Sequence, residues 1–486
     1  MDLIREMAMV IEQDRPKSFN LLIPKGSKLK RLYSLAAQEE FRGDAHAAKA
    51  IYNSDASDKR FIMLKGNLIN KLSELTLTAN HSDINKRNFI KVQFQCERNL
   101  SIAKKLLFVN VYHNAERIAK KVLKRAEKFY LSEIELECYY LLRKIYYLKG
   151  YPVDVERYQK LALAKQNETK LMDQSYGLVQ ISLAHVKFVR SQSNSLQVLL
   201  KTYSLEIKTF KHECQSPFLV LSLLRVKLIR AHQANNLNKW NKALEKLWQH
   251  LMDYPFLETE HLLLEVNISA AKYYIATQEF QLAHAALNEL LEFTSYEAFN
   301  RFEVLAELFQ LHIHRQNYDE ALSLLIEVFE ETRFEELDKL DRAGWMIRSA
   351  YLSYLFAVKG ERKSVPGFSL DELQQFFFNC SPISKDKVGF NLQFLIIRAL
   401  QLKRKGILDS ANESNNLKVY YQRYIKDEKL KRTKGFVRGF IKILRSNFDE
   451  EVIHQSLKEF ADEHGLDHIC YDYCEIVDYR YLISTL

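Results

Sequence analysis

A chain of 486 residues, 47 % of them apolar, has material for several domains or for one long array. Glycine (13) and proline (7) together make up about 4 % of it, against a usual share of roughly 12 %. That scarcity excludes a turn-rich sheet protein and predicts long helices with short connections. The net charge of +10 suits nucleic acid or an acidic partner and compels neither.

No stretch alternates as a half-buried strand would, so the expected class is all-α. The opening Met1-Asp-Leu-Ile-Arg-Glu lacks a basic segment followed by an apolar one, and no secretory signal is expected. No apolar run approaches the ~18–20 residues of a membrane span. Six scattered cysteines suit a reducing compartment, with the cytoplasm as the expected location.

In chain order, residues 1–80 read as a small helical unit. Pro16, Pro24 and Gly26 mark a loop, and Ser27 is placed to cap a helix through Leu29, Leu32, Tyr33, Leu35 and Ala36. Gly43 closes that helix, and Asp44 is placed to cap a second one, Ala45 to Tyr52. A third, from about Asp58, carries Phe61, Leu64, Leu68, Ile69, Leu72 and Leu75 at helical spacing. The last two, with Lys59, Arg60 and Lys65, have the outline of a helix-turn-helix but no base-reading signature. A capping or oligomerisation piece fits the same residues.

Over residues 88–335 one phrase recurs. Trp240-Asn-Lys-Ala243, Phe280-Gln-Leu-Ala283 and Tyr318-Asp-Glu-Ala321 place an aromatic residue three positions before an alanine, with the alanines 40 and 38 residues apart. Tyr112-His-Asn-Ala115 has the same form. A period of this length means one supersecondary unit copied along the chain, each copy burying its apolar face against its neighbours. About six helix pairs result, with second helices starting near Tyr112, Tyr151, Ser195, Trp240, Phe280 and Tyr318.

This region resembles the tetratricopeptide repeat superfamily. The family's small residue twelve before the alanine is met by Ala103, Ala231 and Ala271, its aromatic residue nine before by Tyr274, and its apolar residue four after by Leu247, Leu287 and Leu325. Phe309 replaces the small residue in the last clear unit, the terminating proline is absent, and the units exceed the usual ~34 residues. The resemblance implies an α-solenoid of antiparallel helix pairs, here with a small helical N-terminal unit and a helical C-terminal cap. It implies little about role, because such repeats host many functions.

Residues 336–486 read as a divergent helical continuation. A helix from about Phe334 to Lys359 ends at Gly360, a loop covers Glu361 to Gly367, and Ser369-Leu-Asp-Glu reads as a cap. Cys380-Ser-Pro-Ile-Ser384 makes a further break before a helix to about Lys405, and a long helix spans roughly Asn415 to Leu444.

Chemistry is sparse. No phosphate-binding glycine loop, GxSxG or HExxH is present, so no catalytic residue, cofactor or metal is expected. His454, His464, His468, Cys470 and Cys474 supply ligand types that zinc accepts, but the paired CxxC spacing is missing. His312 and His314 point to opposite sides of a helix. The strongest electrostatic feature is the run of Lys426, Lys429, Lys431, Arg432, Lys434, Arg438, Lys442 and Arg445 above an apolar stripe of Phe436, Phe440, Ile441 and Leu444. This is a candidate basic surface for phosphates or an acidic partner, or an ordinary solvated face. Smaller clusters stand at Lys25, Lys28, Lys30 and Arg31 and at Lys120, Lys121, Lys124 and Arg125. The expected function is a non-catalytic scaffold or adaptor that holds a peptide segment or partner protein on the concave face of a solenoid. The alternative is a transcription regulator or nucleic-acid binder acting through basic faces.

Overall fold

The computed structural model describes residues 2–13, 19–36, 43–78, 88–186, 194–293, 300–367, 389–425, 431–464 and 475–486. Every regular element among them is helical. The chain divides into two compact units, Met1–Gln166 and Asn167–Leu486.

The first unit opens with α1 (Asp2–Gln13), α2 (Phe19–Leu22), α3 (Lys28–Ala36), α4 (Asp44–Tyr52) and α5 (Lys59–Thr78). Ile4, Ala8 and Ile11 recur at helical spacing, and they seat α1 against α3 and α5 in a core with Phe19, Leu32, Phe61, Leu68 and Leu72. Ser27 caps α3 as expected, its Oγ accepting from the Lys30 N–H at 3.1 Å. Asp44 does not cap α4. Its helix begins behind Gly43, and its carboxylate instead takes Lys65 at 2.6 Å, tying α4 to α5. The unit continues through α6 (Asn88–Phe108), α7 (Tyr112–Lys128), α8 (Ser132–Lys149) and the first part of α9 (Pro152–Ala184). Cys96, Leu100, Ala103, Ala115, Ala119, Cys138 and Leu142 fill the space between them.

In the second unit follow α10 (Asn194–Glu213), α11 (Pro217–Gln233), α12 (Leu237–Asp253), α13 (Glu260–Ala276), α14 (Phe280–Phe293), α15 (Asn300–His314), α16 (Tyr318–Glu330) and α17 (Lys339–Val358). Each packs on the next, and α17 packs on α18 (Phe390–Arg404). The chain closes with α19 (Ser410–Tyr424), α20 (Lys431–Arg445), α21 (Glu450–His464) and α22 (Tyr479–Ser484), again packed in sequence. Helices begin at Tyr112, Pro152, Asn194, Leu237, Phe280 and Tyr318, within three residues of the expected second-helix starts, but the third expected pair has no first helix of its own, because α9 runs unbroken from Pro152 to Ala184. Two expected helices are shorter. Asp338 accepts from the Leu340 and Asp341 N–H groups at 2.8 Å and starts α17 five residues late, after a single 3₁₀ turn at Phe334–Glu336. The helix expected from Asn415 to Leu444 ends at Tyr424, because Ile425 leaves helical geometry and enters the core. The expected cap at Ser369 and the break at Cys380–Ser384 lie outside the described residues.

One turn shapes the pairs. Asn110, Gly150, Asn235, Gln278 and Gln316 all adopt positive φ one residue before the residue that precedes a second helix. In each case the following N–H reaches back to the carbonyl five residues earlier, as in Val111 to Leu106 (2.9 Å) and Glu279 to Tyr274 (2.8 Å). This left-handed cap satisfies the last carbonyls of one helix and reverses the chain. It recurs beyond residue 335 at Gly360, Gly406 and Asn447, so the connection has one chemistry well past the last copy of the aromatic phrase.

The alanines of the phrase are buried, as are Trp240 and Tyr318, while Tyr112 and Phe280 are half-buried. Ala103, Ala115, Ala271, Ala283 and Ala321 are fully inaccessible, where a larger side chain would force the helices apart. Trp240 is also fully buried, against the His232 ring at 4.4 Å, and its Nε1–H donates to Ser269 Oγ of the next pair at 3.0 Å. Phe309 packs edge-on against Trp345.

Candidate functional site

The expected basic surface lies on α20, with Lys426 and Lys429 outside the described residues. Its apolar stripe is core: Phe436, Phe440, Ile441 and Leu444 are buried, and Phe436 stacks on Tyr479 at 4.1 Å. Three cations of the positive face, Arg432, Arg438 and Lys442, meet acids within the unit. Arg432 is not on an outward face. It grips Glu475 at 3.0 Å and Asp478 at 2.9 Å. Burial pushes the Glu475 carboxyl up to about 7, against the pull of Arg432 and of the Tyr479 N–H at 2.9 Å. Gln310 Nε2 donates to the carbonyls of Glu475 and Ile476, which fastens the same segment to α15. Arg438 pairs with Glu463 at 2.8 Å and Lys442 with Glu459 at 2.7 Å, both toward α21. Lys434 is half-buried, which leaves Lys431 and Arg445 exposed. The acids that meet Arg432, Arg438 and Lys442 stand 17 to 46 residues further along the chain.

The N-terminal clusters are similarly engaged. Lys65 is held by Asp44, and Arg60 is held by Asp58 and lies over the Tyr52 ring at 5.1 Å. Lys28 sits over Tyr52 at 4.1 Å and Lys30 over Phe19 and Tyr33. Of the third cluster, Lys120 belongs to a knot in which Glu116 accepts from Lys120, Lys149 and Tyr146. Burial opposes the Glu116 charge, yet these bonds hold the carboxyl down to about 2.

Two surfaces escaped the sequence reading. The first is apolar. The turn after α6 exposes Phe108 (87 %), Val109 and Val111, and the turn after α8 exposes Tyr147 (72 %), Tyr151 and Val153 (79 %). Because α6 packs beside α8, these turns share one end of the first unit. The second is cationic, on three consecutive helices of the second unit. Lys208 and Lys211 stand on α10, Lys227 and Arg230 on α11 and Lys246 on α12. None of the five makes an ion pair among the described residues. Burial and the four like charges depress the Lys227 ammonium. Gaps of about five turns of helix hid this cluster from any local window.

Most of the other candidates fall outside the described residues. Residues 465–474, with His468, Cys470 and Cys474, and the His464 side chain lie outside the described residues, and His454 is exposed. His312 faces His284 on α14, whereas burial pushes His314 down to about 4 next to Asp478 and Arg432. Among the described residues no three side chains of metal-binding type converge, and no helix is long and apolar enough to cross a membrane. No protein-family model matches the chain, and no curated protein matches it either.

Proposed function

We propose that this chain is a non-catalytic scaffold or adaptor of the tetratricopeptide-like kind, an α-solenoid that holds a peptide segment or a partner protein. The apolar edge of Phe108, Val109, Val111, Tyr147, Tyr151 and Val153 carries this reading. Large apolar side chains left in solvent at one end of a unit mark a protein contact. Two buried free thiols, Cys96 and Cys138, the latter pushed up to about 12 by burial, agree with a reducing compartment such as the cytoplasm. The alternative is a nucleic-acid reader, which would have to use α20 and α5 faces on which Arg432, Arg438, Lys442 and Lys65 already meet acids.

The test is capture of partners from the native host by the tagged chain, with and without nuclease, beside the variant Phe108→Ser/Tyr147→Ser/Tyr151→Ser. The expected result is a stoichiometric protein that survives nuclease and is lost from the variant. Nucleic acid that co-purifies, with proteins released on digestion, would overturn the reading.

A further inference from the structure

The lysine cluster of α10, α11 and α12 spans three helices packed one on the next, and the surface between them is called the groove below. Helix α11 packs against both α10 and α12, and of its seventeen residues only Lys227 is exposed. The register of α10 and α11 is pinned by Gln197 Nε2, which donates to the Arg230 carbonyl at 3.3 Å. Lys208 and Lys211, three residues apart, share one face of α10, and Lys227 and Arg230 do the same on α11. Lys246 projects from α12. Four of these cations are exposed, Arg230 is half-buried, and none has an acidic partner among the described residues. The inward Arg225, two residues from Lys227, is by contrast paired with Glu265. Holding five like charges together and partly desolvating one of them opposes folding. A bound anion would relieve that cost.

We infer that this groove is the docking site for an acidic segment of a partner protein, a short run of aspartate and glutamate side chains. This rests on the scaffold reading and deepens it. The surroundings favour carboxylates on a short segment over a nucleic acid. Glu206, Glu213 and Glu245 are exposed on α10 and α12. A duplex, with one charge per ~1.7 Å of axis, would lay phosphates across them as well as across the lysines. A short peptide places its charges over the cations alone.

The measurement is fluorescence polarisation of a labelled oligoglutamate peptide titrated with the full chain at low and moderate salt. It is repeated with Lys208→Gln/Lys227→Gln/Lys246→Gln and with Lys105→Gln/Lys144→Gln/Lys160→Gln, which removes as many charges from exposed positions of the first unit. The expected result is binding that weakens about tenfold or more in the groove variant and is unchanged in the other. Thermal melts separate lost binding from lost folding, and the groove variant is expected to melt no lower than the parent, since its repulsion is relieved. Equal losses in both variants would show only an effect of net charge and overturn the proposal, as would no binding at all. A single-stranded oligonucleotide of equal charge that binds more tightly through the same lysines would also overturn it and assign the groove to nucleic acid. Partner capture by the groove variant keeps the two readings apart: retention of the partner with no peptide binding removes the groove and leaves the scaffold.

Discussion

Two cationic regions of the second unit behave in opposite ways. On α20 the positive residues are crowded in sequence, and the tertiary structure disperses their charge: Arg432, Arg438 and Lys442 each meet an acid from a later segment. Across α10, α11 and α12 the lysines are dispersed in sequence and the fold gathers them, with no acid to meet. A basic run therefore says little about a surface until the neighbours of its helix are known. The first region fastens the last residues of the chain, and the second leaves its cations without an ion pair among the described residues.

The largest expected effect lies in the first region. Arg432→Ala leaves Glu475 buried beside Asp478 without its countercharge and should cost about 3–5 kcal/mol in urea unfolding. A loss below about 1 kcal/mol would class the pair with exposed ones and erase the contrast. Arg438→Gln and Lys442→Gln, on the solvated side of the same helix, should each cost less than about 1 kcal/mol.

A pH effect is expected next to the groove. Burial, with Lys272 adding to it, pushes the His232 imidazole at the end of α11 down to about 3. Its folded pKa lies below the unfolded value of 6.5, so below that pH the unfolded chain takes up a proton that the folded chain refuses. Stability should fall as pH drops from 6.5 toward 3, by up to about 1.4 kcal/mol per pH unit from this group. His232→Phe, which keeps a ring against Trp240, should flatten that part of the profile. An unchanged slope would mean that the imidazole accepts its proton in the fold.

The smallest effects test the shared turn. Gly360 has φ of 76° and open space where a Cβ would stand, so Gly360→Ala should lose about 1 kcal/mol through backbone strain alone. Gln316, at φ 58°, holds the same conformation without being glycine. Gln316→Gly should gain a few tenths of a kcal/mol, less than the strain relieved because glycine is freer when unfolded. Opposite signs at the two sites, read from Tm, would establish one turn chemistry on both sides of residue 335.

Much of the fold was legible because its signals are local. Helical spacing, glycine scarcity and the aromatic phrase depend on residues within a few turns of one another, and the second-helix starts from Tyr112 to Tyr318 followed from them. Helix α1 was legible too, in Ile4, Ala8 and Ile11, but stood outside any repeat and was passed over. The turn repeat at Gly360, Gly406 and Asn447 was half-hidden, because glycine marks positive φ but asparagine and glutamine adopt it only in context.

The candidate surfaces were barely legible. By itself the sequence determined the all-helical class, the pairing of successive helices and which aromatic and alanine positions face inward, since helix formation and amphipathic burial are set by neighbours in the chain. Only the tertiary structure decided which charges remain unspent. Arg432 meets Glu475, 43 residues away, and Lys227 feels the charge of Lys246 on the next helix, because Coulomb energy follows distance in space and not in sequence.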